Sequence, residues 1–114
     1  MSDAKKAHQK TPRHLAIVTG GRMTYGYSRP VMHRIEQDPS LRYSLIVTNQ
    51  HLLPEFGYSV EEIERDGMHI TDRIYMALDG YTPATMSKSL GVFLMGVTDA
   101  LVRLTPDLVL VVGD

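Results

Sequence analysis

Residues 107–114, DLVLVVGD, decide the class of fold that this sequence predicts. The run from Leu108 to Val112 is apolar throughout, without the polar–apolar alternation that marks a strand with one solvated face. Continuous apolar strands are typical of parallel sheets, which helices cover on both faces. The sequence ends directly after this run, at Asp114, and an uncovered strand edge is prone to association. We therefore expect the front part of a larger protein, or a partner that covers this strand. A small four-stranded domain that tolerates the open edge is the alternative.

Short apolar segments of the same kind recur earlier in the chain, separated by helical patterns. Residues 14–21, HLAIVTGG, predict a buried strand that ends in a tight turn at two glycines, and residues 43–49, YSLIVTN, predict a second strand. Residues 71–76 predict a weaker third strand. This alternation indicates an α/β fold, a Rossmann-like parallel sheet with helices on both faces. A strand order such as 3-2-1-4 makes the first and fourth strands neighbours.

Two helices are predicted from residues that favour a helix start. Ser28 can cap the first helix, with Pro30 in its first turn. Ser59 and Glu62 have the spacing of a capping box, which predicts a short second helix.

The third predicted helix is the longest. Thr82 can cap it, and Pro83 suits its first position. Its apolar residues recur at intervals of three and four, which predicts one continuous stripe that covers the sheet. These residues are Met86, Leu90, Phe93, Leu94, Val97, Leu101 and Leu104.

Composition restricts the possible class of protein. The chain has 114 residues, of which 43% are hydrophobic and 22% charged, as in one globular domain. A formal net charge of -1 gives no overall attraction to nucleic acid or to an anionic membrane, and we expect neither as a partner. The chain has no cysteine and its histidines show no ligand spacing, so we expect no metal and no cofactor. No apolar stretch reaches the roughly 20 residues that span a bilayer. We expect a cytoplasmic protein whose residues 1–13 form a disordered tail.

Ligands of such sheets bind outside the carboxyl ends of the strands. Gly20-Gly21-Arg22 follows the first predicted strand and Gly113-Asp114 follows the fourth, so adjacent strands would direct Arg22 and Asp114 into one crevice. Two glycines, a helix start and a guanidinium suit a phosphate group, and Asp114 suits acid–base chemistry. An ordinary strand-to-helix turn and a structural cap are equally consistent with these residues.

His51 follows the second predicted strand and leaves two interpretations open. Its imidazole can contact a ligand or transfer protons near neutral pH. An exposed histidine on a surface loop is the commoner outcome.

Four segments, taken together, resemble the start of the hydrolysing UDP-N-acetylglucosamine 2-epimerases. They are residues 18–32, 46–67, 82–101 and 104–114, and they follow one another in the family's order. The resemblance implies two Rossmann-like domains in a glycosyltransferase-B-like arrangement, with the active site in the cleft between them. Members are much longer than this chain. Residues 14–114 are thus expected to form an incomplete first domain, with the carboxy-terminal UDP-binding domain absent.

The resemblance also implies an activity. Members hydrolyse UDP-N-acetylglucosamine, or a related diacetamido UDP-sugar, to UDP and the C2-inverted free sugar, which feeds sialic-acid-like pathways. The C2 proton is removed, UDP is eliminated, and water adds to the resulting glycal. We expect an enzyme with a UDP-sugar as its substrate, a homo-oligomer when full length, and no turnover by the 114 residues alone. The alternative is a non-catalytic flavodoxin-like module that binds a nucleotide sugar or a protein partner.

Five residues receive roles through this resemblance. Arg22 and Tyr25 match the family's Arg-Ala-Asp-Tyr stretch, whose arginine contacts UDP, and Gly26 follows beside the nucleotide. His51 matches the histidine of a Gly-x-His-Leu segment, and Asp114 matches the aspartate of Gly-Asp-Arg. We predict Asp114 as catalytic, and Arg22, Tyr25, Gly26 and His51 as substrate-binding.

The chain departs from the family pattern at two places. Met23-Thr24 replaces Ala-Asp, which removes a carboxylate near the diphosphate, and Asn49 replaces a common glycine. Such changes could tune the choice of substrate.

Overall fold

The computed structural model describes residues 11–80 and 82–113 and contains one four-stranded parallel sheet. Its strands lie in the order β3-β2-β1-β4. They are β1 (Arg13–Thr19), β2 (Leu41–Thr48), β3 (Asp72–Ile74) and β4 (Leu108–Val111). The predicted parallel sheet and its 3-2-1-4 order are therefore confirmed. Of the predicted tail, residues 1–10 lie outside the described residues, and Arg13 already belongs to β1.

Three helices connect the strands and cover both faces of the sheet. They are α1 (Arg22–Glu36), α2 (Val60–Arg65) and α3 (Pro83–Leu104), and two 3-10 turns, Asn49–Leu52 and Pro54–Phe56, lie between β2 and α2. Ile17 of β1 packs in a core formed with α1 and α2, whereas its neighbour Ala16 packs in a second core against α3. Neighbouring residues of one strand point to opposite faces. Burial on both faces explains the unbroken apolar runs of β1 and β2, whereas Leu108, Val109 and Val111 of β4 are exposed.

The start of α1 differs from the prediction. Ser28 and Pro30 lie inside the helix, and Arg22 is its first residue. The Ser28 hydroxyl donates to the Thr24 carbonyl oxygen, one turn earlier, at 2.8 Å instead of capping a helix. A proline inside a helix removes one N–H donor and favours a break. Burial of the apolar face, including the fully buried Met32, keeps the helix continuous through Pro30.

The predicted capping box at α2 is wrong, although the helix itself is present. Ser59 precedes α2, but its backbone is helical and its side chain makes no capping hydrogen bond. Its hydroxyl lies 2.7 Å from Nδ1 of His51, and Glu62 pairs with Arg22. Both polar groups make contacts between elements, which local spacing does not reveal.

The start of α3 agrees with the prediction. The Thr82 hydroxyl accepts a hydrogen bond from the Thr85 N–H at 3.1 Å, and Pro83 occupies the first turn. The apolar stripe is covered only in the later part of the helix, where Val97 is buried. Three earlier members of the stripe, Met86, Leu90 and Leu94, are more than half exposed. Within the described ranges, no helix is both long and apolar enough to cross a membrane.

Candidate functional site

The sheet topology brings the loops after β1 and β4 to the same edge. Val18 pairs with Val111 in parallel register, so Gly20-Gly21-Arg22 and Gly113 both follow at the carboxyl edge of neighbouring strands. Asp114 lies outside the described residues. Its convergence with Arg22 therefore stays a prediction, although the strand adjacency on which it depends is confirmed.

Arg22 begins α1 and presents its guanidinium at this edge. Its side chain is 57% exposed, and Nε donates to Oε1 of Glu62 in α2 at 3.0 Å. An exposed ion pair of this kind contributes at most about 1 kcal/mol. The pair therefore orients the arginine more than it stabilises the fold, and the guanidinium stays accessible to an anion.

The glycine turn before α1 is filled by a side chain. The Thr24 hydroxyl accepts hydrogen bonds from the N–H groups of Gly20 and Gly21, at 3.2 and 3.1 Å, and donates to the Gly21 carbonyl at 2.8 Å. Both N–H groups are thus already hydrogen-bonded within the chain, which lowers the capacity of this turn to bind a phosphate. An anion at this turn would be attracted mainly by the dipole of α1 and by Arg22.

His51 is fully buried, so its interpretation as an exposed surface-loop residue is wrong. Nε2 lies 3.0 Å from the Thr19 hydroxyl, and Nδ1 lies 2.7 Å from the Ser59 hydroxyl. Burial lowers the pKa of His51 to about 4, with a smaller contribution in the same direction from the Arg22 charge, while Glu62 opposes the shift. The imidazole is therefore neutral near pH 7.

The polar chain through His51 has one arrangement that uses each hydrogen once. The Ser59 hydroxyl donates to Nδ1 of His51, Nε2–H donates to Thr19, Thr19 donates to Thr24, and Thr24 donates to the Gly21 carbonyl. These hydrogen bonds connect Ser59, which precedes α2, with the glycine turn before α1. His51 thus makes internal contacts through both ring nitrogens, and contact with a substrate stays a prediction.

Tyr25 is a buried residue of α1, close to His51. It is 5% exposed, its ring meets His51 edge-on, and its hydroxyl donates to Oδ2 of Asp66 at 2.6 Å. Burial and this hydrogen bond raise the pKa of the Tyr25 phenol above its usual range. The phenol therefore stays protonated and fixes the end of α2 to α1.

Gly26 lies on the exposed side of α1. No heavy atom lies within 4 Å of the position that a Cβ would take there. The four described candidates therefore do not form one cluster. Arg22 is exposed at the carboxyl edge, Tyr25 and His51 are buried, and Gly26 lies on the exposed side of α1.

A cavity of about 300 Å³ opens at the same carboxyl edge, over β2 and β3. Its polar lining comes from Asn49 and Gln50, directly after β2, and from Glu55, Asp79 and Ser89. Leucine, methionine and phenylalanine side chains form the remaining wall. The sequence patterns did not predict this cavity, and Asn49 stood out only as a departure from the family pattern. The position of Asn49 and Gln50 at the end of a predicted strand was the available signal. Glu55 and Asp79 have no comparable signal in the sequence.

The chemistry of this cavity differs from that at Arg22. Two carboxylates repel phosphate, but carboxylates and amides together bind hydroxyl and acetamido groups, and the apolar wall suits the face of a sugar ring. Among the described residues, no group of three or more acidic and histidine side chains could hold a metal ion. The edge therefore offers a cationic position and a neutral-ligand position side by side.

Comparisons with known proteins identify relatives of this chain. A family described as UDP-N-acetylglucosamine 2-epimerase matches residues 33–114. The chain is 36% identical over 102 residues to the UDP-N,N'-diacetylbacillosamine 2-epimerase (hydrolyzing) of Legionella pneumophila, covering 90% of this chain and 27% of the relative. It is 33% identical to the GDP/UDP-N,N'-diacetylbacillosamine 2-epimerase (hydrolyzing) of Campylobacter jejuni, covering 90% of this chain and 26% of that protein.

A solved structure supports the fold. The UDP-GlcNAc 2-epimerase from Neisseria meningitidis, bound to UDP-GlcNAc, superimposes with a TM-score of 0.69 at 20% identity. The match covers 89% of this chain and 26% of that one. The chain thus spans about a quarter of the length of these relatives.

Proposed function

Because this chain belongs to the UDP-N-acetylglucosamine 2-epimerase family, we propose that it forms part of a hydrolysing 2-epimerase. The substrate is UDP-N-acetylglucosamine or a related diacetamido UDP-sugar, and the products are UDP and the C2-epimerised free sugar. Two relatives named for a diacetamido sugar favour the second substrate. Following the family resemblance, the product feeds sialic-acid-like biosynthesis in the cytoplasm and the complete protein is a homo-oligomer.

One observation carries this proposal, namely the exposed guanidinium of Arg22 at the carboxyl edge of the sheet. A UDP-sugar brings a diphosphate, and an arginine at the start of a helix supplies charge and donors for it. The diphosphate is already negatively charged in the substrate, so Arg22 contributes mainly to substrate binding.

We assign the sugar ring to the neighbouring cavity. Asn49 and Gln50 can donate to acetamido and hydroxyl oxygens, while Glu55 and Asp79 can accept from hydroxyl groups. The two carboxylates repel a diphosphate from the same space. The UDP-sugar would then lie along the edge, with its diphosphate at Arg22.

Asp114 is the proposed acid–base residue of this chain. A base removes the C2 proton while the bond from C1 to the UDP oxygen breaks, which leaves a glycal and UDP. Water then adds to C1 and a proton returns to C2 from the opposite face. A carboxylate three residues after β4 is close enough in sequence to the edge to take part in either proton transfer.

The test uses the complete gene product that carries these residues. It is incubated in D₂O with UDP-N-acetylglucosamine or with a diacetamido UDP-sugar, and UDP release and the product's NMR spectrum are recorded. We expect UDP together with a C2-inverted free sugar that carries one deuterium at C2. Absence of UDP release from both nucleotides, or release without deuterium at C2, contradicts the proposal.

A further inference from the structure

We propose that Glu62 and Gly57 are positioning residues, which together hold the Arg22 guanidinium in one orientation towards the diphosphate. This inference rests on the proposed function, since it concerns the same site. Glu62 and Gly57 would then contribute to substrate binding through Arg22, without touching the substrate themselves.

The Glu62 carboxylate fixes one edge of the guanidinium. Arg22 starts α1 and Glu62 lies in the first turn of α2, so the contact joins two helices that are packed on the same face of the sheet. Nε of Arg22 donates a hydrogen bond to Oε1 of Glu62, with 3.0 Å between the two atoms. The Nη donors of the guanidinium are therefore left for another ligand. An exposed arginine without this partner would lose more rotamer freedom when it binds an anion.

Gly57 supplies the space in which the guanidinium lies. A Cβ at this position would stand 2.7 Å from Nη2 of Arg22, 3.4 Å from Cζ and 3.5 Å from Nη1. All three nearest atoms belong to the guanidinium, so any side chain at position 57 would displace Arg22. The backbone of Gly57 is also left-handed, with a φ of 80°.

The left-handed backbone has a matched control elsewhere in the chain. Gly67, after α2, has nearly the same conformation, with a φ of 77°, but no heavy atom lies within 4 Å of its Cβ position. Alanine at either glycine imposes similar backbone strain. Only Gly57→Ala also pushes Arg22 away, so the difference between the two variants isolates the effect on the arginine.

The first experiment measures steady-state kinetics of UDP release by the complete gene product. We expect Gly57→Ala to raise KM for the UDP-sugar about tenfold with kcat within about twofold, as for lost uniform binding, and Gly67→Ala to change KM less than twofold. In an Arg22→Ala background, Gly57→Ala is expected to raise KM no further. Equal effects of both alanine variants, or a full Gly57→Ala effect without Arg22, would overturn the inference.

The second experiment examines the acid. Glu62→Ala removes the partner of Nε, whereas Glu62→Gln keeps a neutral oxygen acceptor of the same reach. We expect KM to rise about fivefold for Glu62→Ala and less for Glu62→Gln. Glu61→Ala, one position earlier on the exposed side of α2, serves as control and leaves KM unchanged. A KM for Glu62→Ala at or below that of the parent protein overturns the assignment.

Failure of the proposed function can be distinguished from failure of the positioning role of Glu62 and Gly57. If the parent protein releases no UDP, that function is contradicted, and the same variants are compared by calorimetric titration with UDP. The order of Kd expected then is parent, Glu62→Gln, Glu62→Ala, Gly57→Ala, from tightest to weakest. Equal affinities, or no binding of UDP to any of them, overturn the positioning role as well.

Discussion

At the scale of single residues, the site is built from an exposed arginine and a buried polar chain behind it. The position of Arg22 follows from sequence, because a strand that ends in two glycines delivers the next residue to the carboxyl edge of the sheet. The burial of His51 does not follow from sequence, since its partners Thr19 and Ser59 come from other elements. The role of Gly57 depends equally on the fold, which brings Arg22 against it.

The neutral state of His51 predicts a dependence of stability on pH. Because its folded pKa is about 4 and its ordinary value is 6.5, the unfolded chain binds the proton more tightly between these limits. Stability then falls as pH decreases from 6.5 to 4, by at most about 1.4 kcal/mol per pH unit from this group. Urea unfolding of His51→Gln should show a smaller loss between pH 7 and pH 5 than the parent. The exposed His33→Gln is the control, and identical losses in all three proteins would refute the assignment.

A second prediction for a single residue concerns the proposed catalytic role of Asp114. Asp114→Asn keeps the size of the side chain but cannot take up a proton, so kcat for UDP release should fall by at least about 100-fold, as expected for loss of a general acid or base. KM should stay within a few fold of the parent value. An unchanged kcat removes Asp114 from the mechanism.

At the scale of elements, local patterns predict those boundaries that local contacts decide. Thr82 and Pro83 start α3 because the capping hydrogen bond and the proline both lie in the first turn. By contrast, α1 starts at Arg22 rather than at Ser28, because the Thr24 hydroxyl closes the glycine turn and burial of Met32 keeps the helix continuous through Pro30. The cavity over β2 and β3 is assembled from loops, whose positions local sequence does not specify.

At the scale of elements, the contribution of the Thr82 cap to the stability of α3 can be tested. Thr82→Ala removes the acceptor for the Thr85 N–H and should lower the free energy of unfolding by about 1 kcal/mol. Thr98→Ala serves as control, because that exposed hydroxyl only donates to the Leu94 carbonyl within the helix. Urea denaturation of both variants measures the difference. Equal losses for the two would show that the cap does not stabilise α3.

At the scale of the whole molecule, the polar groups of the site lie at the carboxyl edge of the sheet, and further apolar surface lies on β4 and α3. Arg22 and the cavity share this edge, whereas Leu108 and Val111 of β4 and Leu90 of α3 are exposed apolar residues within the described part of the chain. The chain spans about a quarter of its relatives' length, so the proposed activity belongs to the complete gene product. Under the proposed function, this edge faces the nucleotide in that protein.

The most direct test compares KM for the UDP-sugar between Arg22→Ala and Arg34→Ala in the complete gene product. Both arginines belong to α1 and are exposed, but Arg34 lies in the last turn, away from the carboxyl edge. Loss of a charge-assisted contact to the diphosphate predicts a rise in KM of about tenfold or more for Arg22→Ala. Arg34→Ala should match the parent. Equal KM values for the two variants would contradict the claim that this edge binds the substrate.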